Sequence, residues 1–392
     1  MRNIVRQAFA AAVLVSATAS SAGAQTQEQI DNCNGAFSER EAAEHLLLTT
    51  EVRISACTAV TEGSRYSGKD LAWAYDNRGN AYLENKDYDH AVDDFNEAVR
   101  LNPKDTIGYD GRGLAYVSKN DYDRGIADFN KAMQIDPKFK WAYSNRGRVY
   151  RIKGDYDRAI ADYGQALQID SNFTEAYNNR GYAYALKGDY DRAIADYNQA
   201  IQLDPKYATA YENRAYAHLA KADYNRAAAD YTQVIQMFPK DADSYFTRGR
   251  FNLFAGATAK ALADINQANE LNPKYAYTAL WLDVVNKRSG LPSRLGEAVT
   301  QVDMTKWPSP VIRLYLGQLT PEAVLAAADD TNAVTKRSQV CEANFYIGEL
   351  ALQQGKKDEA TRLFRLVTTD CDKSFIEYEG ATAELKALGV SP

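Results

Sequence analysis

The chain has 392 residues, of which 45% are hydrophobic and 25% charged, so it can bury a large core and is not a disordered polymer. Its formal charge of -6 gives no broad positive field of the kind phosphate backbones require, which excludes nucleic acid as the expected partner. Tyr is abundant, 27 residues against 13 Phe, and so points to one position filled by Tyr repeatedly.

The first segment places Arg2 and Arg6 ahead of the apolar run 8–17 and the small-residue site Ala22-Gly23-Ala24, the pattern of a cleavable export signal over residues 1–24. The run is too short to span a bilayer. Cys33 follows the polar pair Asp31-Asn32 rather than a lipid-attachment context, so no integral membrane anchor is expected. Losing Arg2 and Arg6 takes 46 basic residues to 44 against 52 acidic ones, a charge of -8. The expected location is then periplasmic or secreted. In such an oxidising compartment Cys33, Cys57, Cys341 and Cys371 favour two disulfides, and their wide spacing lacks the Cys-x-x-Cys pairs of a metal or redox site.

Residues 25–71 read as an N-terminal helical cap. The stretch Ile54 to Val60 has the character of a second helix, and Cys33 falls on the helix before it. A short turn between antiparallel helices brings such positions together, predicting a Cys33–Cys57 bridge.

Over residues 72–275 the chain matches itself at an offset of 34. The ladder Tyr75, Tyr109, Tyr143, Tyr177, Tyr211 and Tyr245 runs without an insertion. Four residues on stand Gly79, Gly113, Gly147, Gly181, Ala215 and Gly249, followed by Tyr82, Tyr116, Tyr150 and Tyr184. His218 and Asn252 take the last place in the next two units. Then come Ala91, Gly125, Ala159, Ala193, Ala227 and Ala261, and after them Phe95, Phe129, Tyr163, Tyr197, Tyr231 and Ile265. Pro103, Pro137, Pro205, Pro239 and Pro273 close the units, with Ser171 as the exception. Small residues where two helices meet, beside aromatics that fill the space, describe helical hairpins. Lys153-Gly154-Asp155 and Lys187-Gly188-Asp189 supply their turns.

Arg78, Arg112, Arg146, Arg180, Arg214 and Arg248 on first helices face a matching ladder of Asp94, Asp128, Asp162, Asp196, Asp230 and Asp264 on second helices. Opposite charges with one period favour structural pairing over an anion-binding stripe.

Residues 276–340 lose the register, with breaks at Gly290-Leu291-Pro292 and Trp307-Pro308-Ser309-Pro310, and read as an irregular helical connector. Thr320 can cap a short helix from Pro321 to Ala328, where Ala323, Ala326 and Ala327 favour helix. Residues 341–392 form a degenerate repeat with a capping helix: Gly348, Ala360 and Phe364 keep the spacing of Gly79, Ala91 and Phe95. Cys341 opens its first helix and Cys371 follows its second, two ends that adjoin in a hairpin, which predicts the second bridge.

The repeat resembles the tetratricopeptide repeat, whose signature is an aromatic, Gly, Tyr, Ala, aromatic and Pro over 34 residues. That resemblance implies an all-α, right-handed superhelical solenoid of stacked helix-turn-helix units with helical caps. A narrower likeness lies in the tail. Trp307-Pro308, Tyr315-Leu316-Gly317, Asn344 to Gly348, Ala360-Thr361, Leu363-Phe364, Phe375-Ile376-Glu377 and Glu384-Leu385 resemble the C-terminal part of the new lipoprotein I family. That family implies a periplasmic adaptor that brings cell-wall hydrolases to a protease, and a homodimer.

On each first helix, the side opposite the packing face would line a concave groove of the solenoid. Trp73, Asp76, Leu114, Trp141, Arg148, Arg151, Asn178, Tyr182, Tyr216, Phe246 and Arg250 fall there, and aromatics with Arg are the residues that dominate protein interfaces. Trp141 with Arg148 and Arg151, a helical turn apart, suits an aromatic or acidic stretch of a partner. Asn77, Asn145, Asn179 and Asn213 offer bonds to a peptide backbone or within the hairpins. His45, His90 and His218 are scattered, and no nucleophile elbow, metal pair or phosphate loop is present. The expected function is a protein-binding scaffold without catalytic residues, cofactor or metal; the alternative is a self-associating architectural protein.

Overall fold

In a computed structural model of the chain, which describes residues 26–34, 49–373 and 375–391, all regular structure among the described residues is helical. The export signal, His45 and residues 35–48 of the expected cap lie outside them. The chain divides between Ser171 and Asn172 into two compact units.

The first unit opens with α1 (Gln27–Asn34) and α2 (Thr50–Glu62), joined by the Cys33–Cys57 disulfide with Cα atoms 4.6 Å apart. Three hairpins follow: α3 (Ala72–Glu84) with α4 (Tyr88–Leu101), α5 (Thr106–Ser118) with α6 (Tyr122–Ile135), and α7 (Lys140–Ile152) with α8 (Tyr156–Ile169). Each helix packs on the next, and first helices also touch the first helix of the adjoining hairpin.

The second unit begins with three more hairpins of the same spacing: α9 (Thr174–Leu186) with α10 (Tyr190–Leu203), α11 (Ala208–Ala220) with α12 (Tyr224–Met237), and α13 (Ala242–Phe254) with α14 (Thr258–Leu271). Then come α15 (Ala276–Arg288), α16 (Leu295–Ala298), α17 (Ser309–Tyr315) and α18 (Pro321–Ala327). A last hairpin, α19 (Ala333–Gln353) with α20 (Lys357–Asp370), precedes α21 (Ile376–Ala387). Helix α15 starts 34 residues after α13, so the period runs one helix beyond the tyrosine ladder. The sequence hides this because Ala279 and Asp283 stand where Tyr and Gly would mark it. Helix α19 starts at Ala333, earlier than Cys341 had indicated, and Cys341–Cys371 closes the hairpin with Cα atoms 5.8 Å apart. Thr320 caps α18, its hydroxyl accepting from the Ala323 amide at 3.3 Å.

The hairpin turns share one construction. Asp87, Asp121, Asp155, Asp189 and Asp223 cap the second helices by accepting the amide three residues on. Just before, Lys86, Asn120, Gly154, Gly188 and Ala222 take a left-handed conformation, as Gly256 does in the last hairpin. The Lys-Gly-Asp turns visible in two units are therefore one geometry used in all six. Close approach of the helices explains the small residues: a Cβ on Gly113 would lie 2.6 Å from the Phe129 ring.

The Arg and Asp ladders pair. Each guanidinium forks onto its carboxylate through Nε and Nη2 at 2.5–3.0 Å, from Arg78–Asp94 to Arg248–Asp264. Nη1 of Arg112, Arg146 and Arg214 also donates to Asn96, Asn130 and Asn198 of the preceding hairpin. At the front, Arg78 Nη1 reaches Thr58 and Thr61 and ties α2 to the array. These arginines hold hairpins shut and stack them, which leaves no anion stripe.

Candidate peptide-binding face

In the first unit the expected positions separate by burial. Trp73 is half-buried, edge-on to Tyr66 at 5.6 Å and packed over Ile30 and Cys33, so it seats the cap. Asp76 is buried. Burial, followed by repulsion from Asp105, pushes its carboxyl up to about 8, so near neutrality it is largely protonated. Leu114 is half-buried against the Val117–Phe129 cluster.

Trp141 opens α7 with 44% of its surface exposed, and the Lys140 ammonium lies 5.3 Å from its ring. Lys140 also pairs with Asp170. Arg148 and Arg151 lie on the same helix, half-buried, both within electrostatic reach of the buried Tyr163 hydroxyl; burial nevertheless raises that phenol. Across from Arg148 sits Asp110, buried and accepting from Asn145 Nδ2 at 3.0 and 3.1 Å. Burial lifts Asp110 to about 6, opposed by Asn145 and then Arg148.

In the second unit Asn178 is buried and accepts from Asn213 Nδ2 at 2.9 Å. These Asn side chains bond between neighbouring hairpins, not within one, and hold the stack together. Tyr182 and Tyr216 are 38% and 44% exposed; Tyr216 lies edge-on to Tyr231 and Phe251. Phe246 and Arg250 are closed off, at 4% and 2% exposed. Phe246 packs on Tyr275 and Trp281, and Arg250 Nη2 faces Glu379 of α21 at 3.5 Å. As groove residues Asp76, Asn178, Phe246 and Arg250 are thus corrected: each is spent on internal packing or pairing. Trp141, Arg148, Arg151, Tyr182 and Tyr216 remain accessible in whole or part.

Sequence reading missed the polar interior of the C-terminal helices. Arg288 on α15 donates from Nη2 to both carboxylate oxygens of Glu349 of α19 at 2.6 and 2.8 Å, and its Nη1 pairs with Glu384 of α21 at 2.8 Å. Tyr277 and the Trp307 indole both donate to Glu342 at 2.7 Å. Glu349 is lifted to about 7 and Glu377 to about 8, burial being the first cause in both. The available signal was the 34-residue step itself, which carries Trp141 onto Tyr277 and Arg148 onto Arg250.

Comparison with known proteins agrees with this geometry. The tetratricopeptide repeat family matches residues 72–105, 174–207 and 213–276, and the TPR repeat description matches 113–150 and 147–188. The chain therefore carries tetratricopeptide repeats, a scaffold suited to protein–protein interaction. Among solved structures it is similar to a tetratricopeptide repeat protein from Parabacteroides merdae, at 17% identity over 66% of this chain and 99% of that one, TM-score 0.45. It is also similar to the C-terminal part of a TPR repeat-containing protein from Cytophaga hutchinsonii, at 18% identity over 59% and 94%, TM-score 0.48. A third is YrrB, a TPR protein described as having an unusual peptide-binding site, at 21% identity over 47% and 95%, TM-score 0.41. No helix among the described residues is long and apolar enough to cross a membrane.

Proposed function

We propose that this protein is an exported adaptor that holds segments of other polypeptides against the open face of its first helices, and that it acts by binding rather than by catalysis. The observation that carries the reading is the surface of α7: Trp141, 44% exposed, on the same helix as two half-buried arginines, Arg148 and Arg151. Two disulfides between neighbouring helices support an oxidising compartment, and the signal-like residues 1–24 support export to it. The tail's likeness to the new lipoprotein I family supports a role in envelope proteolysis or cell-wall maintenance, with peptidases or hydrolases as clients.

The test is a crosslinking pull-down from an envelope fraction, comparing the intact protein with Trp141→Ala, Arg148→Ala, Arg151→Ala. Capture of identified proteases or cell-wall hydrolases by the intact form alone supports the adaptor. Recovery of only the protein itself by both forms, with a mass in light scattering that rises with its own concentration, replaces it with self-association.

A further inference from the structure

The C-terminal helices hold a cavity that the adaptor reading leaves unused. It measures about 290 Å³ and lies where the last turns of α15 and α19 meet, lined by Lys287, Arg288, Glu349, Leu352 and Gln353. That is the small end of the range for ligand sites. Leu352, partly buried against the core, supplies the apolar part of the wall.

The charged groups of the wall are already matched by the protein itself. Lys287 pairs with Asp283 at 2.8 Å and lies 5.0 Å from the centre of the Tyr315 ring. Arg288 pairs with Glu349 at 2.6 Å and with Glu384 at 2.8 Å. Two cations therefore stand among three carboxylates, and each charge is engaged. An incoming anion would meet the carboxylates and an incoming cation would meet Lys287 and Arg288, so either must disturb an existing pair. The cavity favours a neutral molecule.

Gln353 is the exception among the lining groups. It is the last residue of α19, and both its amide nitrogen and its amide oxygen are withdrawn from solvent without a hydrogen bond. Leaving a buried donor and acceptor unmatched is costly, and a ligand that satisfies both gains affinity and specificity from them. The nitrogen donates and the oxygen accepts from one planar group. Its complement is a molecule that presents an N–H and a C=O side by side, as a lactam or a primary carboxamide does. A carboxylate, which only accepts, would satisfy the nitrogen and leave the oxygen bare.

We propose that this cavity binds a small neutral molecule carrying a lactam or a primary carboxamide, and that the Gln353 side chain turns to meet it. The ligand's N–H donates to Gln353 Oε1, and its carbonyl accepts from Nε2. The matched charges of Lys287, Arg288 and Glu349 disfavour charged analogues. This site belongs to the second unit and does not depend on the adaptor face of α7.

The test titrates δ-valerolactam, its N-methyl derivative and valerate into the full, disulfide-intact chain carrying labelled Leu methyl groups. The Leu352 signal is read by NMR, and Leu352→Met assigns it by removing it. The lactam is expected to bind roughly 10-fold tighter than the N-methyl derivative, which cannot donate. Gln353→Met keeps the bulk of the side chain and is expected to erase that preference. It should melt no lower than the parent, because it removes an unmatched buried group. Equal binding of the lactam and its N-methyl derivative to the parent would overturn pairing with the amide. Tighter binding of valerate than of the lactam would replace the neutral class with an anion at Lys287 and Arg288. A preference that survives Gln353→Met would refute the role of Gln353, and a Leu352 signal that no probe moves would refute the site itself.

Discussion

The tetratricopeptide hairpins and the C-terminal helices solve the same problem, holding charged side chains inside a helical stack, in opposite ways. In the hairpins every buried Asp of the ladder has its own Arg, forked in one geometry and repeated every 34 residues. Around α15, α19 and α21 the acids outnumber the bases: Glu342, Glu349, Glu377, Glu379, Glu384 and Asp283 share Arg250, Arg288 and Lys287. A one-to-one ladder leaves each charge compensated at any ordinary pH. A deficit of cations leaves some carboxyls protonated near neutrality and makes that end of the molecule sensitive to proton concentration.

The sharpest way to break the comparison is to remove one cation from each region. Arg288→Met strands both Glu349 and Glu384, which are buried, and is expected to cost about 3–5 kcal/mol in urea unfolding. Arg146→Met strands a single carboxylate, Asp162, and is expected to cost about 1–3 kcal/mol. Equal losses would show that the C-terminal acids do not depend on a shared cation.

Proton concentration is the gentler probe. Glu349 and Glu379 are lifted to about 7 and Glu377 to about 8, each mainly by burial, from an ordinary value of 4.5. The folded chain therefore keeps protons that the unfolded chain has already released above pH 4.5. Stability from this cluster is complete below that pH and declines as pH rises through 7 to 8. Thermal unfolding of the intact chain at pH 5.5 and 8.5 is expected to differ by about 3 kcal/mol, discounted for sharing among the acids, with the lower pH more stable. Replacing Glu377 with Gln is expected to flatten the profile. A profile unchanged by that substitution would leave the dependence with Glu349 and Glu379.

Helix contact shows where the two regions agree. Gly113 against Phe129 and Gly348 against Phe364 leave no room for a methyl group, at 2.6 and 2.8 Å. Ala in either place is expected to cost about 1–3 kcal/mol by circular dichroism melts. The second site is a repeat hairpin by packing as well as by spacing, and a markedly smaller loss at Gly348 would undo that equivalence.

The hairpins were legible because their determinants are local and periodic: a small residue, an aromatic, a capping Asp and a turn residue recur at fixed offsets. The ion-pair ladder was legible for the same reason, since Arg78 and Asp94 repeat together. Burial at the candidate face was not. Trp141 and Phe246 both look like groove aromatics in the sequence, yet Phe246 is covered because Tyr275 and Trp281, 29 and 35 residues on, fold over it. Arg250 likewise depends on Glu379, 129 residues away, a separation that no 34-residue repeat encodes. Helix α15 kept the period with none of its marker residues, so length alone carried the signal there.

The smallest effect concerns the turns. Gly154 and Gly188 take φ of 78° and 80° at no steric cost, whereas Lys86 and Ala222 take 62° and 56° with a Cβ that crowds the backbone. Lys86→Gly and Ala222→Gly relieve that crowding but give the unfolded chain more freedom, so each is expected to stabilise by no more than about 0.5–1 kcal/mol in urea titrations. Gly154→Ala should cost a similar amount, because it imposes the crowding that Ala222 already bears. A stabilisation at Ala222 together with a loss at Gly154 would show that the six turns are one geometry with interchangeable residues. If Ala222→Gly instead destabilises, its methyl group contributes packing that Gly154 lacks, and the turns of the two units differ in more than sequence.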